Sequence, residues 1–396
     1  MSDLSQMLSI ARLKEYLYQR SAQLNGFYAG MRRAYILRAV LLAFTGAWLL
    51  PSFRYKKNGR YLISSIRHLE LIEPNKMPQL ILLGGPLEFF HAIRLGCGFI
   101  NTSSLYLSVT LSCFTKIKSI SAVQYLGEKF SKKIIQIQSL EYLLIDSDGL
   151  PYKRALCLIL QGLGKRVVCL QHGIFPDPYP GIDGSLCDLN LVIDSDQLSV
   201  FLKSGLRSNT LVLLSSVSTE KNEIINISVV QPKVILVGEG WVSHDLERHH
   251  LYKTLIKQLK RQLDEVNIKT VYRPHPSERF SLWTYWDILP IEFSKRSKNV
   301  FPWNVYIGTM SSLLVEALKA GATAIQITDL FPLQENYEKY GAIQSVTRDV
   351  KERLQRLNLQ SILHDQVLHK KIRFLDLDKI ASAIPSIVNY GDVNDF

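Results

Sequence analysis

The sequence predicts an α/β protein of two Rossmann-like domains facing each other across a cleft, with a helical extension at the N-terminus. Three observations predict it. From about residue 61 onward, short apolar strands alternate with helical stretches. The strands are continuous apolar runs, the mark of a parallel sheet covered on both faces. The alternation pauses at a polar stretch, 215–232, and restarts at Lys233. A chain of 396 residues suits two domains, and 47% hydrophobic against 21% charged residues is enough to bury real cores.

Residues 1–60 read as helical, an extension before a first domain at 61–215 and a second at 216–396. Within the extension, residues 34–53 are apolar apart from Arg38, so the charge-free run, 39–53, falls short of the ~20 residues a spanning helix needs. Arg32, Arg33 and Arg38 precede it, and Arg54, Lys56 and Lys57 follow. Three readings stand: a helix buried against the first domain, one lying in the interface of an anionic membrane, or a true span.

In the first domain, strands are expected at 61–66, 79–83, 105–111, 133–138, 142–145, 167–170 and 189–193. Helices are expected from Gly84-Gly85-Pro86 through Arg94, over 152–163 with Gly164 just past its end, and over 197–203. In the second, strands fall at 233–237, 268–272, 305–307 and 322–327, with helices at 249–266 and 311–320. Such folds bind ligands at the carboxyl ends of their strands, here expected in the cleft between the halves.

The net charge of +12 and a pI near 9.3 imply an anionic partner. The chain has no RNA-binding signature, zinc-finger spacing or basic heptad helix, so nucleic acid is set aside in favour of a phosphorylated substrate or a lipid surface. The five cysteines, at 97, 113, 157, 169 and 187, are odd in number and form no CxxC pair. Cys113, Cys157 and Cys169 sit in apolar runs and read as small buried hydrophobes. That pattern, with no signal peptide in the first residues, predicts a cytoplasmic protein, or one peripheral on the inner membrane, without a metal site.

Four motifs carry chemistry. Val305 to Leu318 reads as strand, small-residue turn and helix; the free N–H groups of the helix start suit a phosphate, with Thr309, Ser311 and Ser312 adding hydroxyls. Glu316, one turn beyond Ser312, is placed for ribose hydroxyls. Arg273-Pro274-His275-Pro276 ends a strand in a stiff loop presenting a guanidinium and an imidazole. Gln171-His172-Gly173 puts a histidine at a strand end in the first half, suited to be a general base or to bind pyrophosphate. Asp146-Ser147-Asp148-Gly149 puts Asp148 where it could deprotonate a sugar hydroxyl. The same letters match a metal-binding DxD, but they recur at Asp194-Ser195-Asp196 and so discriminate little.

The pair RPHP (273–276) and GTMSSLLVEAL (308–318) resembles the HP and S motifs of bacterial sialyltransferases and polysialyltransferases. It is also similar to CDP-glycerol glycerophosphotransferases and capsule transferases, enzymes of surface-polysaccharide synthesis. LQHG (170–173) is similar to the His-Gly motif of the glycerophosphotransferases, and Asp148-Gly149 faintly resembles the sialyltransferase base motif, with Ser147 where that motif has an acid. The resemblance implies a metal-independent glycosyltransferase of the GT-B type, needing no cofactor. It would move a CMP-linked acidic sugar onto a glycan or lipid-linked glycan acceptor, with UDP-sugar or CDP-glycerol as other donors. It gives His275, Ser311 and Ser312 the nucleotide phosphate; the reading of the residues adds Arg273 and Thr309 beside them, Glu316 near the ribose and Asp148 or His172 as base. The rivals are a sugar-nucleotide 2-epimerase, which needs no acceptor, and a non-catalytic capsule-assembly protein.

Overall fold

The computed structural model describes residues 8–23, 27–55, 59–115, 120–171, 173, 175, 186–230, 232–243, 245–275, 278, 300–330, 336–357, 359 and 363–384. The chain is α/β and divides into two Rossmann-like units. One comprises 1–23, 32–221 and 371–396, the other 24–31 and 222–370.

The first unit opens with helix α1 (Ile10–Gln23) and takes in helix α2 (Phe27–Phe44) from residue 32 onward. Its sheet is built from β1 (Tyr61–Ile63), β2 (Leu80–Gly84), β3 (Gly98–Asn101), β4 (Tyr142–Ile145), β5 (Arg166–Leu170), β6 (Leu189–Val192) and β7 (Leu211–Leu213). The order is β3-β2-β1-β4-β5-β6-β7, and every pairing is parallel. The strands are short and almost wholly buried, as continuous apolar strands covered by helices must be. Helices α3 (Pro86–Leu95), α4 (Ser103–Phe114), α5 (Ile120–Ile135), α6 (Pro151–Gly162) and α7 (Ser195–Lys203) connect them. Gly164 follows α6 at φ +67°, the left-handed conformation that a helix end favours and a side chain resists.

Two expected strands are helices. Residues 105–111 lie in α4 and 133–138 at and beyond the end of α5. Helix α4 packs against α1, α5 and α6 and buries Leu105, Tyr106, Val109, Thr110 and Cys113 on one face, while apolar Leu107 and Leu111 lie half-buried on the other side. A helix apolar on all sides lacks the 3.6-residue stripe that distinguishes it from a buried strand.

Residues 8–55 do not stand apart as an extension. Leu8, Leu13 and Leu17 are fully buried, Arg154 donates to the Arg12 carbonyl at 2.7 Å, and Tyr35 stacks on Tyr106 at 5.4 Å. Among the described residues, no helix is long and apolar enough to cross a membrane.

The polar stretch 215–232 is mostly a 13-residue strand, β8 (Ser218–Val230). The second unit then forms a sheet of β9 (Val234–Val237), β10 (Thr270–Arg273), β11 (Val305–Gly308), β12 (Thr323–Ile327) and β13 (Ile343–Ser345). The order is β10-β9-β11-β12-β13, again all parallel. Helices α8 (Leu246–Asp264), α9 (Ser312–Lys319) and α10 (Val350–Gln355) accompany it. Tyr252, Leu255, Ile256, Leu259 and Leu263 put the apolar stripe of α8 on the sheet.

A second domain running unbroken from 216 to 396 needs correction. Strand β14 (Leu363–Leu375) pairs with β8, and the chain then returns to the first unit as helix α11 (Leu377–Ala383). There Leu375, Leu377 and Ile380 enter the first unit's core, and Tyr61 and Lys76 donate to the Asp378 carboxylate at 2.9 and 2.7 Å. All five cysteines are reduced and buried.

Candidate functional site

In the second unit, strand order reverses between β9 and β11, where an open parallel sheet forms its ligand crevice. Two loops leave the sheet at that point, Gly238-Glu239-Gly240 after β9 and Thr309-Met310-Ser311 after β11. Strand β10 flanks β9 and delivers Arg273, Pro274 and His275 to the same edge.

The turn after β11 is held from both sides. Glu239 Oε1 accepts from the Thr309 amide and hydroxyl, both at 2.9 Å, and from the Met310 amide at 3.0 Å. Beneath it, Gln326 Nε2 donates to the Thr309 carbonyl and the Tyr337 hydroxyl to the Met310 carbonyl, both at 2.7 Å. Gln326 is itself held by the Tyr337 amide at 2.9 Å and by Gln344 Nε2 at 2.7 Å. The backbone shape of the turn is therefore set before any ligand arrives. Thr309 is fully buried, so its amide and hydroxyl, expected to meet a phosphate, serve Glu239 instead. Burial pushes the Glu239 carboxyl up to about 7, against the hydrogen bonds from Met310 and Thr309 that favour its charge.

The loop after β10 is closed by a second buried acid. Glu278 accepts from the Tyr272 hydroxyl at 2.8 and 2.9 Å and from the His275 amide at 2.7 Å, while its own amide donates to the His275 carbonyl. Burial raises this carboxyl to about 7 as well; nearby Glu239 adds to the rise, and the bonds from His275 and Tyr272 oppose it. Gly238 runs against this loop, its amide donating to the Arg273 carbonyl at 2.7 Å. A Cβ there would lie 2.8 Å from Pro274 Cα and overlap the His275 amide nitrogen, so the two strand ends meet this closely only with glycine.

Ser311 is the N-cap of α9 and accepts from the Leu313 amide at 3.4 Å. Ser312 opens the first turn, half-buried. Glu316 lies one turn along, with more than a third of its surface in water. Enough protein surrounds it for desolvation to raise its carboxyl, while the Arg273 and Lys319 charges pull it down. Arg273, 8% exposed, thus stands electrostatically coupled to α9 although the two are separated in sequence by 38 residues or more. Of the expected donor-site residues, Arg273, His275, Ser311, Ser312 and Glu316 share this edge, and Thr309 lies beneath it.

In the first unit the order reverses between β1 and β4, and Asp146-Ser147-Asp148 leaves the end of β4. Asp146 is paired with Lys153 of α6. Asp148 is fully buried, and its Oδ2 accepts from the Leu186 amide at 2.7 Å. His172 lies outside the described residues.

The sequence search for site residues overlooked Gly238, Glu239, Glu278, Gln326 and Tyr337. The only available signal was Gly-Glu-Gly directly after a strand; the partners of Glu239 are 70 residues away in the chain.

No family model matches the sequence, and no curated protein matches it. The fold is similar to solved structures of UDP-GlcNAc 2-epimerases and of a protein in complex with UDP and glucose. A Methanocaldococcus jannaschii UDP-GlcNAc 2-epimerase in complex with UDP-GlcNAc and UDP shares 10% identity over 76% of this chain and 92% of its own, with a TM-score of 0.48. The Neisseria meningitidis UDP-GlcNAc 2-epimerase bound to UDP-GlcNAc shares 10% over 75% and 90%, with a TM-score of 0.42. Anabaena Alr3699/HepE in complex with UDP and glucose shares 7% over 77% and 92%, with a TM-score of 0.44. These likenesses concern the fold. They correct the expectation of a metal-independent, sialyltransferase-like glycosyltransferase: two of the three are UDP-GlcNAc 2-epimerases, and none is a sialyltransferase or a CDP-glycerol enzyme.

Proposed function

We propose that the chain is a sugar-nucleotide enzyme of the 2-epimerase class, which binds a UDP-sugar and turns it over without an acceptor glycan. One observation carries the nucleotide part. A turn held in shape by Glu239 and Gln326 opens α9 at the strand-order reversal, and β10 delivers Arg273 to the same edge of the sheet. In this arrangement the diphosphate meets Arg273, His275, the Ser311 and Ser312 hydroxyls and the positive end of the helix. Glu316, on the same face of α9 as Ser312, accepts from the ribose hydroxyls. Epimerisation at C2 with loss of the nucleotide breaks the C2–H and C1–O bonds, the base taking the proton and the diphosphate leaving with the electron pair. A proton then returns to C2 from the opposite face and water adds at C1. The diphosphate must therefore be held as negative charge gathers on it, which is the task of such donors.

The proton at C2 needs a base, and Asp148 and His172 are the proposed residues. Asp148 reaches a sugar only if the Leu186 backbone releases its carboxylate. The test is UDP-GlcNAc turnover, followed by product analysis with no acceptor present, for the wild type, Asp148→Asn and His172→Ala. A general base contributes about 10²–10⁴-fold, so the base variant should lose that much turnover and keep its affinity for UDP. If Asp148→Asn instead lowers the melting temperature and leaves turnover intact, Asp148 is an anchor for the 186 segment and the base is elsewhere. If UDP-GlcNAc is untouched by the wild type, or consumed only with an acceptor glycan, the epimerase assignment fails.

A further inference from the structure

We propose that the first unit carries a composite surface that docks on an anionic lipid bilayer, built from the C-terminal end of α2, the short helical turn at residues 47–49 and the outer face of α3. Each element is half packed and half open. On α2, Tyr35 and Ala39 are buried, and Arg38 lies over the Tyr106 ring at 4.9 Å, while Phe44 at its end is 87% exposed. In the 47–49 turn, Ala47 is buried while Leu49 is 77% exposed and Trp48 45%. On α3, Ala92 is buried while Leu87, Phe90 and Ile93 are exposed, Phe90 at 66%.

Contacts beneath the surface join the three elements. A Cβ on Gly85, the N-cap of α3, would stand 3.1 Å from the Leu42 side chain of α2. Asn101 at the end of β3 donates to the Ala47 and Leu50 carbonyls, both at 2.8 Å, fixing the 47–49 turn to the sheet. Phe53, just after that turn, meets Phe89 of α3 edge to face at 5.7 Å. The exposed side chains of α2, the turn and α3 therefore belong to one neighbourhood of one unit.

Charge selects the occupant. Between Glu15 and Glu70 the chain has no acidic residue and nine Lys or Arg. Arg32, Arg33 and Arg54 are exposed there, and Arg94 is exposed at the end of α3. The acid of α3, Glu88, is buried with its Oε2 on the Gly85 amide. Aromatic and aliphatic side chains rimmed by arginines and free of exposed acids match the headgroup region of an anionic leaflet. A second copy fits less well, because a twofold contact would bring identical cationic rims together. No described helix is long and apolar enough to span, so this is a docking surface rather than an anchor.

The test is co-sedimentation of the full chain with vesicles of phosphatidylcholine alone and of phosphatidylcholine with phosphatidylglycerol. Leu49→Glu and Phe90→Glu are compared with the wild type, with melting temperature and UDP affinity as controls. The wild type should bind the phosphatidylglycerol vesicles selectively and release from them at high salt. Each variant should bind about tenfold or more weakly, with unchanged controls because both side chains point to solvent. Equal binding to both vesicle types, no binding, or binding unaffected by either substitution overturns the proposal. Loss with Leu49→Glu alone overturns its composite character. A wild-type dimer that Phe90→Glu dissociates, without vesicle binding, gives the face to a second copy and overturns the lipid.

Discussion

Glu239 takes up amides that would otherwise be open to a ligand, and it does so with a carboxyl that burial has raised to about 7. Its neighbour Glu278 is raised to the same value. An acid whose folded pKa lies above its ordinary 4.5 binds more protons in the folded chain than in the unfolded one between those two pH values. Stability is therefore lost as pH rises from about 4.5 to about 7 and then levels off, each pKa unit being worth about 1.4 kcal/mol. Glu239→Gln keeps an amide oxygen for the Thr309 and Met310 donors and removes the titration. Urea unfolding midpoints at pH 5 and pH 7.5 should fall for the wild type and fall distinctly less for Glu239→Gln; equal drops would contradict the raised carboxyl. Some of this site was legible one residue at a time. Ser311 reads as an N-cap and Glu316 as its neighbour a turn later because both signals are local. Glu239 does not, because only the folded sheet brings β9 beside β11.

At the scale of elements, the strand ends that build the site are the ones the sequence marks best. Strand β4 spans 142–145 in both the sequence pattern and the structure, and α9 ends before Gly321 in both. Runs such as 105–111 mislead because a helix with apolar residues on every side and a buried strand share one composition. Helix α11 was illegible for another reason: nothing local says that a seven-residue helix after a long strand returns to the first unit's core. Ile380, fully buried there, makes that return testable. Ile380→Ala should destabilise the first unit by about 2–5 kcal/mol, seen as a lower-temperature unfolding step while the UDP-stabilised step stays in place. An unchanged first-unit transition would mean that α11 does not belong to that core.

For the molecule as a whole, alternation of strands and helices was enough to predict two parallel α/β units, because that topology is dictated by which faces are apolar. It was not enough to predict that β14 brings the chain back to the first unit, since a crossing strand looks like any other polar strand. Nor did motif resemblance fix the chemistry: RPHP and the Ser-Ser helix suggested a cytidine nucleotide and transfer to an acceptor, yet neither motif contacts a base or an acceptor by its own chemistry. Shared phosphate geometry explains the ambiguity, because a helix start and an arginine recognise a diphosphate whatever base it carries. The central claim is that the second unit holds a nucleoside diphosphate between Arg273 and the start of α9. Calorimetric titration of UDP into the wild type, Arg273→Ala, Ser312→Ala and the double variant tests it most directly. The account predicts binding by the wild type and losses of roughly 10–100-fold for Arg273→Ala, since a charge-assisted hydrogen bond is worth about 1.5–3 kcal/mol. It also predicts a double-variant loss smaller than the summed singles, as for groups gripping one phosphate. No binding of UDP by the wild type, or one affinity shared by all four proteins, would contradict it.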